Sequence, residues 1–119
     1  MKYEVTVTGI GDLALEMMEH MGGLILFDEC APAELAEISV LHTTGALQGE
    51  LAVGDKVIFG KNEYVITAIG DEAVRTLKEM GHCTFKFTGH DAVELPGQIE
   101  LKGEEVQPHI AVGDTIRIG

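Results

Sequence analysis

One histidine ends an apolar run and is followed by small polar residues. The stretch reads Val40-Leu-His-Thr-Thr-Gly-Ala-Leu-Gln-Gly49. The hydroxyls of Thr43 and Thr44 and the backbone N–H groups near Gly45 are donors of the kind that hold a phosphate. A neutral imidazole with such donors around it has what a histidine nucleophile needs for phosphoryl transfer. A histidine at a barrel rim whose ring bonds to a neighbouring carbonyl would give the same pattern, so both interpretations stay open.

The chain nearly repeats itself at an offset of 59 residues, and His42 breaks the repeat. The residue equivalent to His42 is Leu101. We therefore expect two related halves, about residues 1–60 and 61–119, and a histidine that only one half carries is a candidate for function added to a symmetric scaffold. The matching segments are Glu4-Val-Thr-Val-Thr-Gly-Ile-Gly-Asp-Leu-Ala14 with Glu63-Tyr-Val-Ile-Thr-Ala-Ile-Gly-Asp-Glu-Ala73, and Leu51-Ala-Val-Gly-Asp55 with Ile110-Ala-Val-Gly-Asp114.

The length and the net charge of the chain limit the functions that the protein can have. The 119 residues predict a single domain, residues 1–119, in which the two halves share one core. A net charge of -12 with only 8 basic residues argues against nucleic acid as a partner. The acidic surface suits either a basic protein partner or simple solubility.

Cysteine spacing and the start of the chain indicate the compartment. Cys30 and Cys83 are too few and too far apart for a disulfide framework or a zinc motif. The chain opens directly on an alternating strand pattern, without a signal peptide or an apolar run long enough to span a bilayer. We expect a soluble, reduced, cytoplasmic protein without direct membrane insertion.

Apolar periodicity predicts a mainly β protein with short helices. A helix over residues 13–21 is expected to be capped by Asp12, and a second helix begins after Asp71 and ends at Gly81. Duplication favours a closed β-barrel built from two pseudo-symmetric halves, since closure removes sheet edges. The alternative is an open α+β sandwich. Strands are predicted over residues 3–10, 24–27, 38–42, 56–59, 63–69, 82–87, 98–102 and 115–118, and a helical turn over 33–37.

The remaining patterns carry no chemistry of their own. The glycines of Val7-Thr-Gly-Ile-Gly-Asp12 lack the third glycine of a dinucleotide loop and predict a strand-to-helix turn. His20, His90 and His109 are expected at the surface, and the histidine spacing does not support a metal site.

Several segments together resemble one protein family. They are Ala31-Pro-Ala-Glu-Leu-Ala-Glu37, Leu41-His-Thr-Thr-Gly-Ala-Leu-Gln-Gly49, Val65-Ile-Thr-Ala-Ile-Gly70, Leu77-Lys-Glu-Met-Gly-His-Cys-Thr-Phe-Lys-Phe-Thr-Gly89 and Leu95-Pro-Gly97. In this order they are similar to the glucitol/sorbitol-specific enzyme IIA family of the bacterial phosphoenolpyruvate-dependent sugar phosphotransferase system. The resemblance runs from about residue 4 to the C-terminus.

The resemblance implies a specific reaction and specific partners. His42 corresponds to the family's phosphorylated histidine. It would accept a phosphoryl group from the phosphocarrier protein HPr and pass it to a cysteine of the enzyme IIB component. The IIC component would import a hexitol such as glucitol for phosphorylation. No metal or other cofactor is implied, because the donor is already a phosphohistidine.

The chain departs from the family at one position. The family has a second histidine two positions after the first, where this chain has Thr44. We expect Thr44 or His82 to substitute, with Thr43 and Gly45 also binding the phosphoryl group. His82 matches a Gly-His pair of the family and would donate a hydrogen bond to a phosphoryl oxygen. The alternative role for His82 is a barrel histidine bonded to backbone.

Two other function classes remain open at this point. One is a non-catalytic small-molecule-binding barrel, in which His42 is a polar contact in a cavity of several hundred Å³. The other is a regulatory module that binds another protein. The phosphoryl relay requires His42 to be exposed and nucleophilic.

Overall fold

The computed structural model describes residues 1–119. The strands are β1 (Tyr3–Ile10), β2 (Gly23–Asp28), β3 (Val40–His42), β4 (Lys56–Phe59), β5 (Asn62–Ile69), β6 (Cys83–Lys86), β7 (Gln98–Gly103) and β8 (Thr115–Ile118). The helices are α1 (Ala14–Met21), α2 (Ala33–Ala36) and α3 (Ala73–Met80). No helix has the length and apolar character needed to cross a membrane.

The eight strands close into one barrel in the order β1-β3-β2-β6-β7-β5-β4-β8. The pairs β2–β3 and β6–β7 are parallel, and the other neighbours are antiparallel. The prediction of a closed, mainly β barrel with short helices is confirmed, and the open sandwich is wrong. Closure leaves no unpaired sheet edge, which suits a chain of many short strands.

Strand pairing in one half recurs in the other half at the offset of the sequence repeat. Val7 pairs with His42 across β1 and β3, and Ile66 pairs with Leu101 across β5 and β7. An irregularity in register follows immediately after each of these pairs. The barrel therefore presents His42 and Leu101 in equivalent surroundings.

The barrel interior is filled with apolar side chains. Twenty-one buried residues form a single cluster that draws on both halves. Aromatic rings meet edge to face at its centre, with Phe59 5.8 Å from Tyr64 and 5.5 Å from Phe85. The interior is thus a packed core rather than a ligand cavity.

The helix starts differ from the sequence expectation. Asp12 and Asp71 do not cap the helices; the N-cap residues are Leu13 and Glu72, and neither makes a side-chain cap bond. Backbone carbonyls take this role instead, since Leu13 N donates to the carbonyl of Glu37 and Glu72 N to the carbonyl of Pro96. With these donors satisfied, the two aspartates stay exposed.

Both eight-residue helices end as predicted, at a glycine in the left-handed conformation. Gly22 ends α1 with φ 67° and Gly81 ends α3 with φ 61°. A side chain at such a position is strained, which explains the choice of glycine.

Candidate functional site

His42 is the last residue of β3 and lies between β1 and β2. Its register partners are Val7 on β1 and Asp28 on β2. Its side chain is 0% exposed. The expectation of an exposed side chain at a barrel rim is therefore wrong. Side chains alternate along a strand, so His42 points inward with Val40 and occupies a core position.

Both ring nitrogens of His42 face backbone carbonyl oxygens. Nδ1 lies 2.7 Å from the oxygen of Thr43, and Nε2 lies 2.8 Å from the oxygen of Gly81. A neutral imidazole carries one N–H, so it donates to only one of these carbonyls, and the doubly protonated ring donates to both. The ring also meets Tyr3 edge to face, with centroids 6.2 Å apart. These contacts fix the ring in one orientation.

Gly81, at the C-terminal end of α3, packs against the imidazole. A Cβ at this position would lie 2.5 Å from Cε1 and 3.0 Å from Nε2 of His42. The equivalent glycine, Gly22, has the same backbone conformation but nothing within 4 Å of such a Cβ. Glycine is therefore required at position 81 for two reasons. Its backbone has a positive φ, and its close contact with the imidazole leaves no room for a Cβ.

Thr43 contacts the ring through its carbonyl rather than its hydroxyl. Its Oγ1 accepts a hydrogen bond from Thr6 N at 3.0 Å, and its own N–H donates to the carbonyl of Thr6 at 2.9 Å. This pair of bonds extends the ladder between β1 and β3. The Thr43 hydroxyl thus has a structural partner in this conformation.

Thr44 and Gly45 lie further along the same turn. Thr44 is exposed. Gly45 packs against β1, and a Cβ there would lie 2.6 Å from Cγ1 of Val5 and 3.3 Å from Cε1 of Tyr3. The glycine lets the chain cross closely over Tyr3, the residue whose ring contacts His42.

His82 follows Gly81 and is half-buried. Its Nδ1 donates to the carbonyl of Leu26 at 2.9 Å, and its ring stacks on Phe27 with centroids 4.5 Å apart. No hydrogen bond joins its ring to that of His42; the two histidines are linked through Gly81. His82 thus has the backbone bond that its alternative role described, while its Nε2 has no hydrogen-bond partner in the fold.

The other polar side chains near His42 are acidic or neutral. Burial raises the pKa of the Tyr3 phenol far above its ordinary value, and Cys83 and Asp28 raise it further, since the negative form of either would repel a phenolate. Burial likewise raises the pKa of the Cys83 thiol. Both groups therefore stay protonated at neutral pH and supply no competing nucleophile. The imidazole is the group at this site that is suited to accept a phosphoryl group.

The bond between the His42 ring and the carbonyl of Thr43 is the one that the alternative interpretation of this histidine described, whereas the contact with the carbonyl of Gly81 was not predicted. The sequence predicts Gly81 as the end of a helix, and the Gly-His pair shared with the family is the one signal that points to a contact with His42. Its contact with His42 spans 39 residues and depends on how α3 packs over the barrel.

The surface depressions lie away from His42. One is a groove of about 460 Å³ between α1 and residues 107–111, and none of the five has His42 in its lining. The small-molecule alternative required His42 to be a polar contact within a cavity. The structure therefore gives that alternative no support.

Comparisons with known proteins identify the family of the chain. The family described as PTS system glucitol/sorbitol-specific IIA component matches residues 2–117. The chain is 36% identical over 115 residues to the PTS system glucitol/sorbitol-specific EIIA components of Escherichia coli (strain K12) and Shigella flexneri, covering 97% of this chain and 92% of each relative. It is also similar to the crystal structure of a PTS system IIA component from Enterococcus faecalis V583, with a TM-score of 0.80 and 31% identity over 96% of this chain and 97% of that one. The chain therefore belongs to the glucitol/sorbitol-specific IIA component family of the PTS system.

Proposed function

We propose that this protein relays a phosphoryl group through His42, from the phosphocarrier HPr to the cognate enzyme IIB component. The uptake served would be that of a hexitol such as glucitol, the sugar in the names of its relatives. One observation carries the proposal. A carbonyl holds Nδ1 of His42, which leaves Nε2 as the nitrogen that can react once the helix end that covers it has moved.

The hydrogen bond at Nδ1 selects the reactive nitrogen. When Nδ1–H donates to the carbonyl of Thr43, the neutral ring keeps its lone pair on Nε2. That lone pair attacks phosphorus. The N–P bond to His42 forms while the N–P bond of the donor phosphohistidine breaks, and the donor ring takes back the electron pair. Onward transfer is the same step with a cysteine thiolate of IIB as the acceptor.

The phosphoryl oxygens require donors, and positive side chains are scarce in a chain of net charge -12. The expected donors are the hydroxyls of Thr43 and Thr44, backbone N–H groups near Gly45, and the ring of His82. Because Nδ1 of His82 already donates to Leu26, its Nε2 donates only when the ring is doubly protonated.

Partner docking is expected around the turn that follows β3. Leu41 is half-buried beside His42, Ala46 is exposed, and Leu47 is partly buried against the core. The net charge of -12 would favour a partner with a basic docking face, because opposite charge speeds the encounter.

Reconstitution of the relay tests the proposal. The purified protein is incubated with enzyme I, HPr and labelled phosphoenolpyruvate, followed by the IIB component. We expect label on the wild type and on His109→Gln, a matched control at an exposed histidine, and none on His42→Gln. Labelling of His42→Gln at the wild-type rate would overturn the assignment.

A further inference from the structure

We infer that the Gly81 end of α3 is a gate: it closes over Nε2 of His42 in the resting protein and moves away for each phosphoryl transfer. This inference rests on the proposed relay through His42 and specifies how that site is opened. Gly81 acts here as a positioning residue, since it contacts the reactive ring but does not take part in the chemistry.

The closed position is incompatible with the phosphorylated state. The carbonyl oxygen of Gly81 lies 2.8 Å from Nε2, along the direction in which that nitrogen would bond to phosphorus. A phosphoryl group on Nε2 needs the space that this oxygen fills. Because the His42 side chain is also 0% exposed, a donor reaches Nε2 only after a neighbouring element has moved.

The imidazole is the fixed partner in this contact. The backbone of His42 pairs with strands on both sides, and its carbonyl accepts a hydrogen bond from Glu29 N at 2.8 Å. Nδ1 is held by Thr43, whose own backbone and hydroxyl are bonded to Thr6. Rotation of the ring would break the Nδ1 bond as well as the one at Nε2.

The end of α3 is better suited to move. Gly81 N and His82 N donate to carbonyls of α3 itself, those of Leu77 and Thr76. The hydroxyl of Thr76 also donates to the carbonyl of His82 at 2.6 Å. The helix end is thus a self-contained turn on an eight-residue helix, and such ends open at low cost in free energy. Besides His42, this turn is anchored to the barrel by the ring of His82, through Leu26 and Phe27.

The other half of the barrel has the same turn without the gate. The carbonyl of Gly22 accepts a hydrogen bond from the backbone N of Phe87 at 3.2 Å, so it is held by the sheet. The carbonyl of Gly81 is held by the imidazole instead. A hydrogen bond from Nε2 to this carbonyl exists only while Nε2 carries a proton, so the reactive tautomer and the phosphorylated ring both leave the carbonyl without a donor. The state of His42 therefore determines whether the end of α3 is closed.

Two matched alanine variants test the gate. Each is treated with a small-molecule phosphoryl donor, which does not need a docking surface on the protein. We choose phosphoramidate and compare Gly81→Ala with Gly22→Ala, because both place a side chain at a positive φ but only the first displaces the turn from His42. We expect Gly81→Ala to take up phosphate at His42 at least about fivefold faster than wild type, and Gly22→Ala to match wild type. Equal rates for all three, with label on His42, would overturn the gate and leave the relay standing. If none of the three proteins carries label on His42, with either phosphoramidate or HPr as the donor, both the gate and the relay would be overturned.

A second measurement uses the unaltered sequence, which removes any dependence on how Gly81→Ala folds. Amide hydrogen exchange is followed by NMR before and after phosphorylation from HPr. The gate predicts that the Gly81 and His82 amides exchange at least about tenfold faster in the phosphorylated protein, while that of Gly22 is unchanged. Unchanged protection at Gly81 and His82 would overturn the gate even if His42 is fully phosphorylated.

Discussion

His42 and Leu101 occupy equivalent positions in the two halves of the barrel. His42 pairs with Val7 as Leu101 pairs with Ile66, and both side chains are fully buried. A histidine thus stands where the other half has an aliphatic core residue. Burial of its polar ring is offset by the two carbonyls that face its nitrogens.

This equivalence predicts that His42→Leu folds well but cannot accept a phosphoryl group. His42→Leu and His42→Ala lose the same contacts with the two carbonyls, so they differ mainly in packing. We expect the alanine variant to be less stable than the leucine variant by about 2–5 kcal/mol, the usual cost of truncating a buried leucine. Urea unfolding measures the difference. Equal stability of the two variants would contradict the core position assigned to residue 42.

More of the fold than of the site could be predicted from the sequence. Alternating apolar residues and the Gly-Asp turns recur in both halves, so the strands and the barrel were predictable locally. The burial of His42 was not, because side-chain direction at a strand end depends on register with β1 and β2. The contact with Gly81 depends on the packing of α3, which no local pattern encodes.

His82→Ala is predicted to slow onward transfer to IIB more than acceptance from HPr. A donor to the phosphoryl oxygens contributes most where charge develops in the transition state. We expect transfer to fall by about tenfold or more, measured by quenched-flow release of label. As a control, Phe27→Leu removes the ring stacked on His82 but keeps the imidazole. An equal effect on acceptance and transfer would assign His82 a structural role only.

Gly11→Ala and Gly70→Ala are predicted to destabilise the protein severely and to a similar extent. A Cβ on Gly11 would collide with the backbone carbonyls of Ala36 and Glu37, and one on Gly70 with that of Pro96. A backbone carbonyl cannot move aside as a flexible side chain can, so each substitution should lower the free energy of unfolding by about 3 kcal/mol or more. Thermal unfolding checks this, with Gly97→Ala as the control because nothing lies within 4 Å of its Cβ position. A loss of stability in only one of the two variants would contradict the structural equivalence of Gly11 and Gly70.

Stability is predicted to fall as the pH rises above 10. Burial raises the pKa of Tyr64 from 10 to about 12. Between these values the folded state keeps a proton that the unfolded chain has lost, so rising pH favours unfolding. Tyr64→Phe removes this group, whose hydroxyl has no hydrogen-bond partner. We expect the variant to lose less unfolding free energy than wild type between neutral pH and about pH 11. Identical pH profiles would count against this contribution.

The relay through His42 is tested most directly by locating the phosphoryl group in the protein after reaction with enzyme I, HPr and phosphoenolpyruvate. Tandem mass spectrometry under non-acidic conditions identifies the residue, and NMR of protein labelled with ¹⁵N in histidine identifies the ring nitrogen. The account predicts one phosphoryl group, on Nε2 of His42. A phosphoryl group on His82, on any other histidine, or on Nδ1 of His42 would contradict it.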